Sequence, residues 1–237
     1  MARPNGVVIV SERYWAFAGV DGSLREGAMP QPRELLQRIP LARGLVRLYA
    51  SLAPLFKRDG VAKSRERWLI LTALIAPLVL TAFDGPWSTV AGITLSVLLV
   101  ATILRGRALQ LHGAEHRAIA AAEARRLEAT WAGTARPSRF SPRCGTNFAA
   151  LALPVTFMAD RLLPVGPAVW SPLVVLVFSL ALTMELWRLV QRSPRRTWRL
   201  LLLPGLGLQR LTTREPRLEE TQVAMRAVEA VLRLELA

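Results

Sequence analysis

Both histidines of the chain fall in one pentapeptide, His112-Gly113-Ala114-Glu115-His116. On a helix, positions i and i+4 share a face, so the two imidazoles reach one point. Neutral imidazole is a good zinc ligand. Glu115 completes an H-x-x-E-H pattern, the reverse of the H-E-x-x-H order of zinc peptidases. In such helices two side chains hold the metal and a carboxylate serves as general base. Glu123 follows about two helical turns after His116 and can join the same face. The single cysteine, Cys144, sits in Ser141-Pro142-Arg143-Cys144-Gly145-Thr146. A metal thiolate, a nucleophile beside His112 or His116, and an inert buried thiol are all open for it. One cysteine excludes an intramolecular disulfide framework. No Walker phosphate loop, G-x-G-x-x-G or serine-triad signal is present.

The elements around these residues are strongly apolar or strongly basic. The chain of 237 residues is 52% hydrophobic and carries a formal net charge of +14, so it is no disordered tail. Trp68 to Phe83 and Trp87 to Leu104 are uncharged runs separated by Asp84-Gly85-Pro86, a strong turn signal. A third run, Phe148 to Ala159, ends at Asp160-Arg161 and reaches span length only if counted to Val165. A fourth runs from Pro167 to Leu182 and on to Trp187 across Glu185. A spanning helix needs about 20 apolar residues. Glu185 then faces protein or water, or pairs with Arg188.

Charge placement points the same way. Of 31 Lys and Arg residues, only Arg161 falls in a connector on the far side of a four-span arrangement. The positive-inside rule then puts both termini and the central loop in the cytoplasm. Trp68, Trp87, Trp170 and Trp187 stand near span ends, as interfacial anchors do. The excess charge fits anionic lipid headgroups rather than nucleic acid, since no basic stripe interleaves with aromatics. No apolar run follows Met1, so a secretory signal peptide is not expected.

The expected fold is an all-α membrane protein with a minor cytoplasmic β-hairpin and four transmembrane helices in two hairpins. Residues 1–66 form the cytoplasmic hairpin, turning at Asp21-Gly22, and an amphipathic helix from Pro32 to Phe56 that Pro40 kinks or splits. Residues 67–104 form the first transmembrane hairpin. Residues 105–147 carry HGAEH, on a helix from Arg105 to about Trp131, and RCGT. Residues 148–187 form the second hairpin, and 188–237 the cytoplasmic tail. There LLLLPGLGL is too short to span and suits a re-entrant, surface-lying or buried segment. Thr212-Thr213-Arg214-Glu215 matches a capping box for a last helix over Arg217–Leu236.

Three blocks, HGAEHRAIAAAE (112–123), PRCGTNF (142–148) and PGLGLQRLTTREP (204–216), resemble the YqhQ-like family of bacterial membrane proteins. IPLARGLVRL (39–48) resembles the family's segment before its first span. The family is described as uncharacterised or as a metal-dependent enzyme. The resemblance implies a polar set of His112, Glu115, His116, Glu123, Arg143, Cys144, Thr146, Gln209, Thr212, Thr213, Arg214 and Glu215, with Glu185 less closely matched. Departures are Ser141 where many members have histidine, Gln222 where glutamate is common, and the family's glycine-rich opening segment, which this chain starts after or has lost.

Two functions follow as expectations. The first is a metal-dependent enzyme acting on a peptide or lipid at the cytoplasmic membrane surface. Zinc would be held by His112 and His116 with Cys144 or Glu123, Glu115 would be the base, and Arg214 would hold an anionic group. The second is a non-enzymatic assembly or translocation factor with a membrane-protein partner, in which the polar cluster is structural. A transporter fits less well, because two short hairpins offer little polar midplane lining. No motif indicates an oligomeric state.

Overall fold

The computed structural model describes residues 1–56, 60–62, 64–81, 86–103, 105–164, 166, 170–193 and 196–237. Four strands open the chain: β1 (Ala2–Arg3), β2 (Gly6–Val10), β3 (Tyr14–Gly19) and β4 (Leu24–Ala28). They form an antiparallel meander in the order β1-β2-β3-β4. The alternation of side chains along a strand divides the sheet into two faces. Val7 pairs with Ala18 and Ile9 with Ala16 on one face, while Val8 pairs with Phe17 and Val10 with Trp15 on the other. Asp21 stabilises the β3–β4 turn by accepting from the Ser23 amide (3.0 Å) and hydroxyl (2.6 Å).

Helices make up the rest. α1 (Glu34–Arg38) and α2 (Ala42–Phe56) are separated at Pro40, which cannot donate within a helix. α3 (Ser64–Thr81) and α4 (Pro86–Ile103) lie against each other. α5 (Arg107–Glu123) and α6 (Leu127–Trp131) replace the single helix expected over this segment. The break falls at Arg125, whose φ of 54° is left-handed. α7 (Gly145–Leu162) and α8 (Ser171–Arg192) form a hairpin, followed by α9 (Arg196–Arg199), a 3₁₀ turn (Leu200–Leu202), α10 (Leu203–Thr212) and α11 (Leu218–Leu236).

The main core lies between the sheet, α5 and α11. Val7, Ile9, Ala16 and Ala18 pack on Leu111, Ala114 and Ala118 of α5 and on Val223, Ala227, Val228 and Val231 of α11. Alanines at the α5–α11 contact allow close approach of the two backbones. The opposite sheet face buries Val8, Trp15 and Phe17 with Met29 and Val61. Arg3 hydrogen-bonds the Val61 carbonyl and Glu66, fastening the sheet to the start of α3.

This architecture overturns the expected all-α, four-span fold. The amino-terminal β structure is a four-stranded sheet that builds the main core, not a minor hairpin. Among the described residues, one helix, α8, is long and apolar enough to cross a membrane. Physical reasons are visible in the sequence. α3 begins inside the charged segment Arg65-Glu66-Arg67, and α7 carries Thr146 and Asn147 at one end and Asp160-Arg161 at the other. The turn expected at Asp84-Gly85-Pro86 falls on residues 82–85, which lie outside the described residues, as does the Trp87 side chain. Trp68 and Trp170 are exposed, and Trp187 packs beside Leu151, Val190 and Leu202. LLLLPGLGL is helical, ending in α10. Thr212-Thr213-Arg214-Glu215 does not cap the last helix: Thr213 ends α10, and the Arg217 amide at the start of α11 donates to Glu220 Oε2 (3.1 Å).

Leu111 is fully buried at the junction of sheet, α5 and α11. Leu111→Ala should therefore destabilise the fold by about 2–5 kcal/mol, read as a lowered unfolding midpoint in denaturant.

A candidate metal centre

The two histidines sit one turn apart on α5, whose opposite, alanine-rich face is locked into the core. His112 Nδ1 lies 2.8 Å from the Thr212 carbonyl, and His116 Nδ1 lies 2.7 Å from the Arg139 carbonyl. A carbonyl only accepts, so each Nδ1 carries a proton and donates it. Each Nε2 is thereby the nitrogen turned toward the other groups of the site. His112 Nε2 is 3.2 Å from Cys144 Sγ. Ligand atoms of His112, His116 and Cys144 all lie within 4.8 Å of one another.

Cys144 precedes the first turn of α7, with extended backbone (φ −69°, ψ 143°). A helix amino terminus favours a thiolate there. Burial pushes the thiol up, but hydrogen bonds from His112 and His116 and the charge of both rings bring it down to about 5. The Thr146 hydroxyl also donates to Sγ at 3.2 Å. For His112, burial disfavours the charged ring, and the bond to Cys144 and the charge of Glu115 outweigh it, so its pKa is raised.

The loop before Cys144 is held by two buried amides. Gln209 of α10 accepts from the Ser141 amide (2.9 Å) and donates to the Ser141 carbonyl (2.7 Å). Asn147 Nδ2 donates to the Ser141 and Pro142 carbonyls (2.9 and 3.0 Å). α10 crosses α7 closely enough that a Cβ at Gly205 would collide with Asn147. Gln191 of α8 donates to the Pro142 carbonyl at 2.9 Å, joining this loop to the basic end of α8.

A second web holds the two carbonyls that orient the imidazoles. Arg139 Nη1 donates to the Thr213 carbonyl (2.6 Å) and hydroxyl (3.1 Å), next to the Thr212 carbonyl used by His112. Arg117 donates to the Pro137 carbonyl (3.0 Å) and to Glu215 (2.6 Å), and Glu215 also lies 3.7 Å from Arg139. The Arg214 amide donates to the Leu109 carbonyl at 2.9 Å. A Cβ at Gly113 would collide with the Arg214 carbonyl, so the glycine of HGAEH is what lets this loop lie on α5.

The predicted set is thus partly gathered. His112, His116 and Cys144 converge, with Thr146 on the sulfur and Gln209, Thr212, Thr213 and Glu215 in the surrounding bonds. Glu115 is next to the histidines: Oε1 is 2.5 Å from the Met1 amino nitrogen, and among the described residues Oε2 is buried without a partner. Burial raises its pKa, but the charges of Met1, His112 and His116 prevail and lower it. Glu123 instead pairs with Arg143, and both are exposed. The Arg214 side chain is exposed. Glu185 lies elsewhere, in a bidentate pair with Arg43 (2.7 and 2.6 Å), with Arg188 a weaker neighbour at 3.9 Å. Ser141 Oγ accepts from the Arg143 amide (3.2 Å), and Gln222 donates to the Trp131 carbonyl (3.2 Å). Sequence reasoning missed Arg117, Arg139 and Asn147. Arg117 and Asn147 lie inside two of the recognised blocks, whereas Arg139 acts partly through its backbone carbonyl, which leaves no residue-type signal.

Comparison with known proteins agrees with the sequence blocks. The family described as "Protein of unknown function (DUF1385)" matches residues 69–234. The "Uncharacterized protein YqhQ" of Bacillus subtilis (strain 168) is 33% identical over 139 residues, 56% of this chain and 43% of that protein. The match therefore spans less than half of that relative's length. No solved structure matches the chain.

Because Cys144 is the only cysteine, its ionisation can be followed by thiolate ultraviolet absorbance. In metal-free protein the absorbance should persist at neutral pH and be lost on acidification through about pH 5. His112→Ala removes the hydrogen bond and the positive charge, so the midpoint should move up. A wild-type midpoint in the ordinary thiol range would contradict the geometry.

Proposed function

The chain belongs to the DUF1385, YqhQ-like family, and we propose that it is a metal-dependent membrane-surface enzyme in which His112, His116 and Cys144 hold a zinc ion. The observation that carries this reading is the pair of Nδ1–carbonyl bonds, which aims both Nε2 atoms toward the thiol. Zinc-ligating histidines ordinarily use their second nitrogen in this way. Two imidazoles and a thiolate suit zinc and disfavour magnesium and calcium, which prefer oxygen. The buried, unpartnered Glu115 Oε2 supports a polar site rather than a dry core.

Zinc held by these three side chains would supply Lewis acidity. The chain's own residues supply the rest. Glu115, whose Oε1 is held by the Met1 amino group, would act as general base through Oε2 and accept the proton of an attacking water. Arg214, on the loop lying over Gly113, holds an anionic group of the substrate. Gln209 and Asn147 keep the cysteine loop in register. The Gln191–Pro142 bond ties this loop to the end of α8 that carries Arg188 and Arg192. With α8 in a bilayer, that basic end lies at the cytoplasmic surface, so the substrate is a peptide or lipid presented there.

A second reading follows from the buried amide and guanidinium webs, which interlock α5, α7, α10 and the loops between them. In it the cluster is structural, and the protein is an assembly or translocation factor acting through a membrane-protein partner.

Elemental analysis of detergent-purified protein tests the metal. About one zinc per chain is expected, absent from His116→Ala and Cys144→Ser, and cobalt loading should give a thiolate charge-transfer band. No metal after reconstitution under reducing conditions overturns the proposal. Metal-dependent turnover on membrane peptides or lipids then selects the enzyme, whereas a stoichiometric co-purifying partner with no turnover selects the assembly factor.

Gln209→Leu should leave the Ser141 amide unsatisfied and remove one of the two donors to its carbonyl, the other being Asn147. The expected costs are about 1–3 kcal/mol of stability and about a 10–100-fold loss of zinc affinity, measured by chelator competition.

A further inference from the structure

Away from the metal centre, a groove of about 430 Å³ runs between α2 and α8. Leu41, Leu45, Leu173, Val174, Val177 and Phe178 line it with Ala181, all of them apolar. Its volume falls at the small end of the roughly 300–1,000 Å³ usual for ligand sites. Leu173, Val174 and Val177 are exposed on α8, the helix long and apolar enough to span.

One end of the groove is strongly basic. Glu185, one turn beyond Ala181, is gripped by Arg43 through both carboxylate oxygens and also accepts from the Leu41 amide at 3.3 Å. Leu41, one of the lining residues, is in the left-handed region (φ 67°). Arg188 is repelled by Arg192, Arg43 and Arg47 and attracted by Glu185. Arg43 and Arg188 flank the carboxylate and Arg47 and Arg192 lie near Arg188, so four guanidiniums meet one carboxylate with an excess of three positive charges. Arg47 and Arg192 have exposed side chains. The direction is consistent along α8: the apolar lining occupies its first half, and the arginines occupy its last turns, where a bilayer would end.

We propose that this groove binds one anionic phospholipid, with an acyl chain along Leu173–Ala181 and the phosphate at Arg47, Arg188 and Arg192. Charge complementarity selects the headgroup, because an excess of arginine at a helix end attracts phosphate rather than a zwitterion. The apolar lining selects a lipid over free phosphate. The proposal rests on α8 lying in a membrane and not on the metal.

The test uses full-length protein in detergent with equal amounts of phosphatidylglycerol and phosphatidylcholine, retention being read by native mass spectrometry. Wild type should retain one phosphatidylglycerol, about tenfold or more over phosphatidylcholine. Arg47→Gln/Arg192→Gln should lose that preference. Val177→Trp, which fills the groove without changing charge, should lose both lipids. Leu173→Trp, at an exposed position, gives the same readout if Val177→Trp does not fold. Inorganic phosphate should not displace the lipid. Equal retention of the two lipids, displacement by phosphate, or unchanged retention in folded groove-filled variants would overturn the proposal. Zinc content of the same variants is measured in parallel, so failure here is distinguishable from failure of the metal reading.

Discussion

The centre depends on two hydrogen bonds from imidazole to main chain. Without the Thr212 and Arg139 carbonyls, either nitrogen of either ring could carry the proton, and neither ring would have a fixed angle. With them, each tautomer and each ring plane is set. The two carbonyls come from distant segments, so the ring orientations depend on tertiary structure. That makes the second web of Arg117, Arg139 and Glu215 part of the first: it keeps both acceptors where the rings need them.

The thiol side obeys a different constraint. A buried thiolate is costly unless charge and donors compensate it. Here a helix amino terminus, the Thr146 hydroxyl and the His112 ring all face the sulfur. These neighbours hold the thiol low even though it is buried.

The sequence made the His112, His116 and Cys144 cluster legible because its signals are local. His112 and His116 are one helical turn apart, and Cys144 stands before a glycine and an apolar run. The three conspicuous blocks also converge in space, as blocks serving one site should. The membrane topology was misread for an equally local reason. Counting apolar residues between charges ignores where helices begin and end. α3 starts among Arg65, Glu66 and Arg67, and α7 starts at a polar turn that belongs to the site. The sheet was under-read because Gly6–Val10 and Tyr14–Gly19 are buried on both faces, so their alternation is blurred. Arg139 was illegible because its orienting group is a carbonyl common to every residue. Glu185 was read as facing protein or water, or as pairing with Arg188, because nothing local shows that Arg43, 142 residues earlier, returns to meet it.

The sheet–α11 core has a kinetic side. Val7, Ile9, Ala16 and Ala18 lie far ahead of α11 in the chain, and their cover includes α11. Arg13 and Ser11 also close on Glu235, more than 220 residues away. Such long-range closure slows folding. During synthesis an apolar sheet face waits through the passage of every helix between, exposed to aggregation or to holding by a chaperone. α11 therefore acts as a latch on the sheet, and removing it would leave the strands without much of the cover of their core.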